Sequence, residues 1–121
     1  MSKLQNLMDD ISEWSNKTFG NYERNPAIAY HLKKEIKELI KAIKKFNKSR
    51  FDASTGIGEY KRNRDNVEME FADCFMLLLD SASHFDITAD ELIEATYRKL
   101  AINKERKWGK PDKNGVVEHI K

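Results

Sequence analysis

Apolar residues recur along this chain at intervals of three and four, the spacing that puts them on one side of an α-helix. Leu4, Leu7, Met8, Ile11 and Trp14 form the first such stripe, which predicts a helix fraying into the turn-rich run Asn16-Lys17-Thr18-Phe19-Gly20-Asn21. A second helix is predicted to open with Asn25 as its cap and Pro26 at the first helical position, where the missing N–H costs nothing. Ile28, Leu32, Ile36, Leu39, Ile40 and Ile43 then share one face, and the pattern stops after about Phe46. From Asn47 to Asp65 the chain is polar, with Ser54, Thr55, Gly56 and Gly58, and it carries Lys48, Arg50, Lys61, Arg62 and Arg64. That composition predicts a long, mobile basic loop at about 47–65.

The third helix is expected from about Asp65 to His84. Val67, Met69, Phe71, Ala72, Cys74, Phe75, Met76, Leu77, Leu78, Leu79 and Ala82 make it apolar on nearly every side. Such a helix belongs at the centre of a bundle. Thr88-Ala89-Asp90-Glu91 has the form of a capping box and starts a fourth helix through Leu92, Ile93, Ala95 and Leu100 to about Trp108. Gly109 and Pro111 end it, and a tail over 109–121 contains an Asn114-Gly115 turn with Val116, Val117 and Ile120.

These elements predict an all-α fold, a bundle of four main helices spanning residues 1–121 as a single domain. Length agrees, since 121 residues suffice for one core and are too few for two ordinary domains. With 40% hydrophobic residues, only 5 Gly and 2 Pro, the chain is too apolar for disorder and too poor in breakers for a many-stranded sandwich. A net charge of +2 gives no global field for nucleic acid, so any charge chemistry is local. The lone Cys74 excludes an internal disulfide and every multi-cysteine zinc pattern, and fits a small buried hydrophobe in a reducing cytosol. No signal peptide or membrane-length apolar run is present, so a soluble, cytoplasmic protein is expected.

The placement of acids is more informative. Glu35 and Glu38, three residues apart, project from one side of the second helix at the border of its apolar stripe, with His31 between them in direction. Lys33, Lys37, Lys41 and Lys44 fall on the opposite edge, where they are not expected to neutralise the two carboxylates. The alternative for this helix alone is an ordinary solvated amphipathic surface. Glu70 and Asp73 repeat the spacing inside the most apolar helix, where unpaired ionised carboxylates are costly and repel one another. Glu70, Asp73, Leu77 and His84 share a stripe opposite Phe71, Phe75, Leu78 and Ala82. If the two helices are neighbours, four carboxylates converge into a hard oxygen set suited to Mg²⁺ or Mn²⁺. The competing arrangement is a pair of buried salt bridges to lysine or arginine.

The core-facing stripe of the fourth helix starts with Leu92 and Thr96 and turns polar at Lys99, Asn103 and Arg106. These three can donate to phosphate oxygens held over a carboxylate-bound metal; the alternative is a helix end whose cations complement the dipole. His31 and His84 fit packing or supporting roles better than ligation, because a Mg²⁺ site does not call for imidazole.

The motifs His31-Leu-Lys-Lys-Glu35-Ile-Lys-Glu38-Leu and Glu70-Phe-Ala-Asp73-Cys resemble the paired acidic motifs of the MazG-like, all-α nucleoside triphosphate pyrophosphohydrolases. Trp14-Ser-Asn-Lys-Thr-Phe19-Gly20 near the start is similar to the small, often phage-borne branch described as dATP/dGTP diphosphohydrolase-like. So is Arg106-Lys-Trp108-Gly-Lys-Pro111-Asp-Lys-Asn-Gly115-Val-Val-Glu-His119 at the end. The similarity covers nearly the whole chain, and the connection between the acidic motifs is on the long side for the family.

The resemblance implies that Glu35, Glu38, Glu70 and Asp73 bind Mg²⁺ or Mn²⁺ and are the catalytic residues. It further implies that a (d)NTP, a purine deoxynucleotide such as dGTP or dATP, is cleaved to the monophosphate and pyrophosphate. Lys99, Asn103 and Arg106 are then the candidate triphosphate contacts. Trp14 is a candidate contact to base or sugar, with a core role as its alternative. A homodimer or tetramer is expected, both from the apolar third helix and from the family's habit of building sites between subunits. The host cytoplasm of an infecting phage is a fitting location. The competing class is a non-catalytic helical interaction module or a nucleic-acid-binding adaptor using Lys48, Arg50, Lys61, Arg62 and Arg64. Nucleic acid is the less favoured partner, because a basic loop in such an enzyme is more simply a lid that steers phosphate.

Overall fold

A computed structural model describes residues 2–21 and 24–121. Four helices account for most of it: α1 (Lys3–Phe19), α2 (Ala27–Arg50), α3 (Ile57–Ser83) and α4 (Ala89–Glu105). The fold is all-α, and among the described residues strand pairing is limited to a single bridge between Trp108 and His119. No helix among them is long and apolar enough to cross a membrane. The chain groups into two compact units, residues 1–88 and 89–121.

In the first unit, α3 packs against both α2 and α1. Met8 and Leu79 are the fully buried centre, joined by Ile11, Ile28, Leu39, Ala42 and Cys74. The helix starts are chemically explicit. Ser2 Oγ accepts from the Gln5 N–H at 3.0 Å and caps α1. At α2 the cap position is Pro26 rather than the expected Asn25, and Asn25, one residue earlier, accepts from the Ala27 N–H at 2.8 Å in a local turn that leads into the helix.

Other boundaries also differ from the sequence reading. The run after Trp14 does not fray, and α1 continues to Phe19, where Gly20 at φ 85° donates its N–H back to Asn16. A side chain is strained at that φ, so glycine suits this cap. The basic stretch at 47–65 is not a long loop either: α2 runs to Arg50, α3 begins at Ile57, and only residues 51–56 connect them. Apolar periodicity fails there because polar groups make the contact. Asn63 Nδ2 donates to Ser49 Oγ at 3.0 Å, both residues being buried, while Phe46 and Tyr60 rings lie 5.2 Å apart. Ser54 N–H and Oγ both donate to Asp52 Oδ1, closing the turn. Finally α4 ends at Glu105, three residues short of Trp108.

The aromatic flank of α3 also departs from expectation. Phe71, Phe75 and Leu78 are about half exposed, at 53%, 46% and 50%, so the helix is covered on its acidic side and open on its greasiest one.

The second unit consists of α4 and the tail. Gly109 N–H donates to Glu118 O at 2.8 Å and Ile120 N–H to Lys107 O at 2.7 Å, which folds the tail back onto the segment after α4. The expected Asn114-Gly115 turn forms around Asp112, which accepts from the Asn114 and Val116 N–H groups through Oδ1, with Gly115 at φ 81°.

Candidate metal and nucleotide site

Packing of α2 on α3 brings Glu35, Glu70 and Asp73 together: one carboxylate oxygen from each lies within 4.8 Å of the others. Glu35 and Glu70 are partly buried and Asp73 is exposed. Glu70 Oε2 is buried without a hydrogen-bond partner. Among the described residues no lysine or arginine makes an ion pair with any of the three; His31 Nε2 stands 3.5 Å from Glu35 Oε1. Burial pushes the Glu70 carboxyl above its usual range, and the neighbouring Asp73, Glu35 and Glu38 charges push it further the same way. The Cys74 thiol is raised by burial and by the Glu35, Glu70 and Asp73 charges.

The salt-bridge alternative therefore fails for this trio. A buried, partnerless carboxylate oxygen facing two more carboxylates is an arrangement that a hard divalent cation satisfies, since such ions take all-oxygen shells. The donor set fits Mg²⁺ or Mn²⁺.

Glu38 stands apart from the trio, although its charge still bears on Glu70. It is exposed, and Lys41 Nζ approaches Glu38 Oε1 to 3.5 Å across one helical turn. The expected separation of acids from lysines thus holds for Glu35 but not for Glu38: residues three apart are surface neighbours, and a flexible lysine stem spans the wheel angle between them.

A cavity of about 320 Å³ opens beside these acids. Glu35 and Asp73 line it together with His31, Met76 and Leu77, and α1 contributes Ile11, Trp14, Ser15 and Phe19. Trp14 is half exposed and meets the Phe19 ring edge-on at 5.4 Å, so the tryptophan is a wall of the cavity rather than core. Sequence reasoning missed Asp80, which lines the same cavity and accepts from Ser15 Oγ at 2.5 Å. Its signal was available: Asp80 follows Asp73 by seven residues, two helical turns, directly after the apolar run Leu77-Leu78-Leu79.

Lys99 and Asn103 lie on α4, with Arg106 just beyond it, in the second unit. Arg106 Nη1 donates to Asn103 Oδ1 at 3.3 Å, and Trp108 Nε1 to Asn103 O at 3.1 Å, so Asn103, Arg106 and Trp108 form a local cluster there. The basic residues once expected in a loop sit mainly on helix ends. Arg64 pairs with Glu68 at 3.1 Å, and the Arg50 guanidinium lies 5.4 Å from the Phe51 ring centre. Thirteen residues, roughly 20 Å of helix, separate Lys48 from Glu35, so Lys48 does not form a lid over the acids.

Residues 62–121, which include Glu70, Asp73 and Asp80, match the sequence model of the dATP/dGTP pyrophosphohydrolase family. This stretch, just under half of the chain, is similar to that family. The chain is also 40% identical over 58 residues to a dATP/dGTP diphosphohydrolase of Cyanophage S-2L. That alignment covers 48% of this chain and 51% of the relative, so the chain spans about half the length of the curated protein it matches. No solved structure matches the chain. The family match includes the second acidic motif and the tail, while Glu35 and Glu38 precede it.

Proposed function

We propose that this protein hydrolyses a (d)NTP, a purine deoxynucleotide such as dGTP or dATP, to the nucleoside monophosphate and pyrophosphate in a metal-dependent reaction. The observation that carries the reading is the buried, partnerless Glu70 Oε2 among the Glu35 and Asp73 carboxylates, beside a cavity walled by Trp14 and Phe19. The family match over residues 62–121 and the name of the cyanophage relative support the substrate class.

In this reading Glu35, Glu70 and Asp73 hold Mg²⁺ or Mn²⁺, and Glu38 completes the acidic set from its neighbouring position. When bound, the ion supplies charge neutralisation for the phosphate oxygens and Lewis acidity. One of the four carboxylates orients and deprotonates the water that attacks the α phosphorus, with pyrophosphate leaving. Trp14 offers its ring face to the base. Lys99, Asn103 and Arg106 donate to the triphosphate. The whole of 1–121 acts as one functional domain in the cytoplasm. The exposed Phe71, Phe75 and Leu78 stripe supports a homodimer or tetramer, because single-chain folding leaves that apolar surface in water.

Incubating the protein with each (d)NTP and Mg²⁺ or Mn²⁺, then separating products, tests the proposal. Monophosphate plus pyrophosphate from a purine deoxynucleotide is expected. Asp73→Asn and Glu38→Gln are each expected to lose at least about 10²-fold in turnover while keeping the helical circular-dichroism spectrum, a loss on the scale of removing one preorganised electrostatic group. No turnover of any nucleotide sinks the reading; unimpaired variants remove those residues from the site.

A further inference from the structure

The acidic cluster leaves one buried carboxylate of this cavity without a task. Asp80 is 4% exposed and faces the cavity two helical turns beyond Asp73, roughly 10 Å along the α3 axis. Its Oδ2 accepts the Ser15 hydroxyl at 2.5 Å, and its Oδ1 is buried with no hydrogen-bond partner. The nearest cation-capable group, His84 Nδ1, is 3.6 Å from Oδ1 and is engaged at 2.8 Å with the backbone carbonyl of Asp80, to which it must donate. His31 and Glu35 from α2 and Trp14, Ser15 and Phe19 from α1 complete the surroundings.

Resting on the nucleotide-hydrolase reading above, we propose that Asp80, oriented by Ser15, reads the nucleobase and selects guanine over adenine. An ionised carboxylate only accepts hydrogen bonds, and Ser15 has committed its proton to Oδ2, so this region of the cavity is an acceptor surface. Guanine presents two donors side by side, N1–H and the N2 amino group, which match a carboxylate edge. Adenine presents the N6 amino group beside the N1 lone pair, which faces a carboxylate unfavourably. A buried acceptor left unpaired discriminates strongly against ligands that cannot supply the donor. Trp14 and Phe19 add flat apolar surface for any base, which gives affinity without choosing among purines. The distance along α3 from Asp73 to Asp80 is comparable to the span from a nucleotide's phosphates to the far edge of its base.

The test compares dGTP, dITP and dATP, because dITP keeps N1–H and lacks the N2 amino group. For the unaltered protein kcat/KM is expected to favour dGTP over dITP by about 10- to 150-fold, the value of one hydrogen bond to a charged group, and over dATP by at least as much. Asp80→Asn is expected to bring the dGTP-to-dITP ratio to within about threefold of unity, since the amide no longer offers two equivalent acceptors. Equal use of dGTP and dITP by the unaltered protein overturns the proposal, as does a ratio unmoved in a folded Asp80→Asn. If that variant fails to fold, the ratio for the unaltered protein decides alone. Calorimetric binding of dGTP and dITP separates this idea from the one beneath it. Binding preference without hydrolysis overturns only the catalytic reading, and hydrolysis without preference overturns only the role of Asp80. A purely structural Ser15–Asp80 bond moves stability and leaves the nucleotide ratio alone.

Discussion

Ser15→Ala is a sharp probe of how this cavity is held together. Ser15 is 2% exposed on α1, and its hydroxyl is a donor to Asp80 on α3, whose other oxygen has no partner. Deleting the hydroxyl leaves a buried carboxylate with both oxygens unsatisfied. A hydrogen bond to a charged group contributes about 1.5–3 kcal/mol. For 121 residues, an unfolding entropy of about 2.1 cal/mol/K per residue gives about 0.25 kcal/mol/K for the chain, so the melting temperature should fall by about 6–12 °C. Thr18→Ala, exposed on the same helix, should stay within about 2 °C, as surface substitutions usually cost no more than about 0.5 kcal/mol. Thermal unfolding followed by circular dichroism reads both. In a double-mutant cycle with Asp80→Asn, the two changes should couple by more than about 0.5 kcal/mol because they share one bond. A Ser15→Ala protein that melts with its parent, or additive effects in the cycle, would refute the inference that this contact ties α1 to α3.

Two further outcomes follow from the acidic cluster. Adding Mg²⁺ or Mn²⁺ to about 100 times its dissociation constant should stabilise the protein by about 2.7 kcal/mol, a rise of about 10 °C; in Glu70→Gln that rise should shrink to a small fraction, and an equal rise in both proteins would remove Glu70 from the metal shell. Without metal, the raised Glu70 carboxyl means that the folded chain holds a proton the unfolded chain has already released. Its contribution is therefore fullest below the ordinary value of 4.5 and is lost as pH rises through the higher folded value. The melting temperature of Glu70→Gln relative to the parent should accordingly climb with pH across that window, and a flat or falling difference contradicts the assigned burial and repulsion.

The sequence alone was enough for the all-α class, the four helices and the acidic pairs, because helical periodicity and capping are local properties written in residues three and four apart. It also placed Glu70 and Asp73 on the side of α3 away from Phe71, Phe75 and Leu78, and the structure keeps that division. What periodicity does not encode is the rotation and register of one helix against another. The packing of α2 on α3 alone decides that Glu35 meets Glu70 and Asp73 while Glu38, one turn on, faces water and Lys41. The same packing extends the helices through a basic stretch that looks like a loop, since the Ser49–Asn63 hydrogen bond joins residues too far apart to leave a periodic trace. Asp80 became meaningful only when α1 delivered Ser15 to it from 65 residues away. Local propensity fixes which elements form, whereas burial and hydrogen-bond satisfaction, which depend on every neighbour at once, fix which side chains meet.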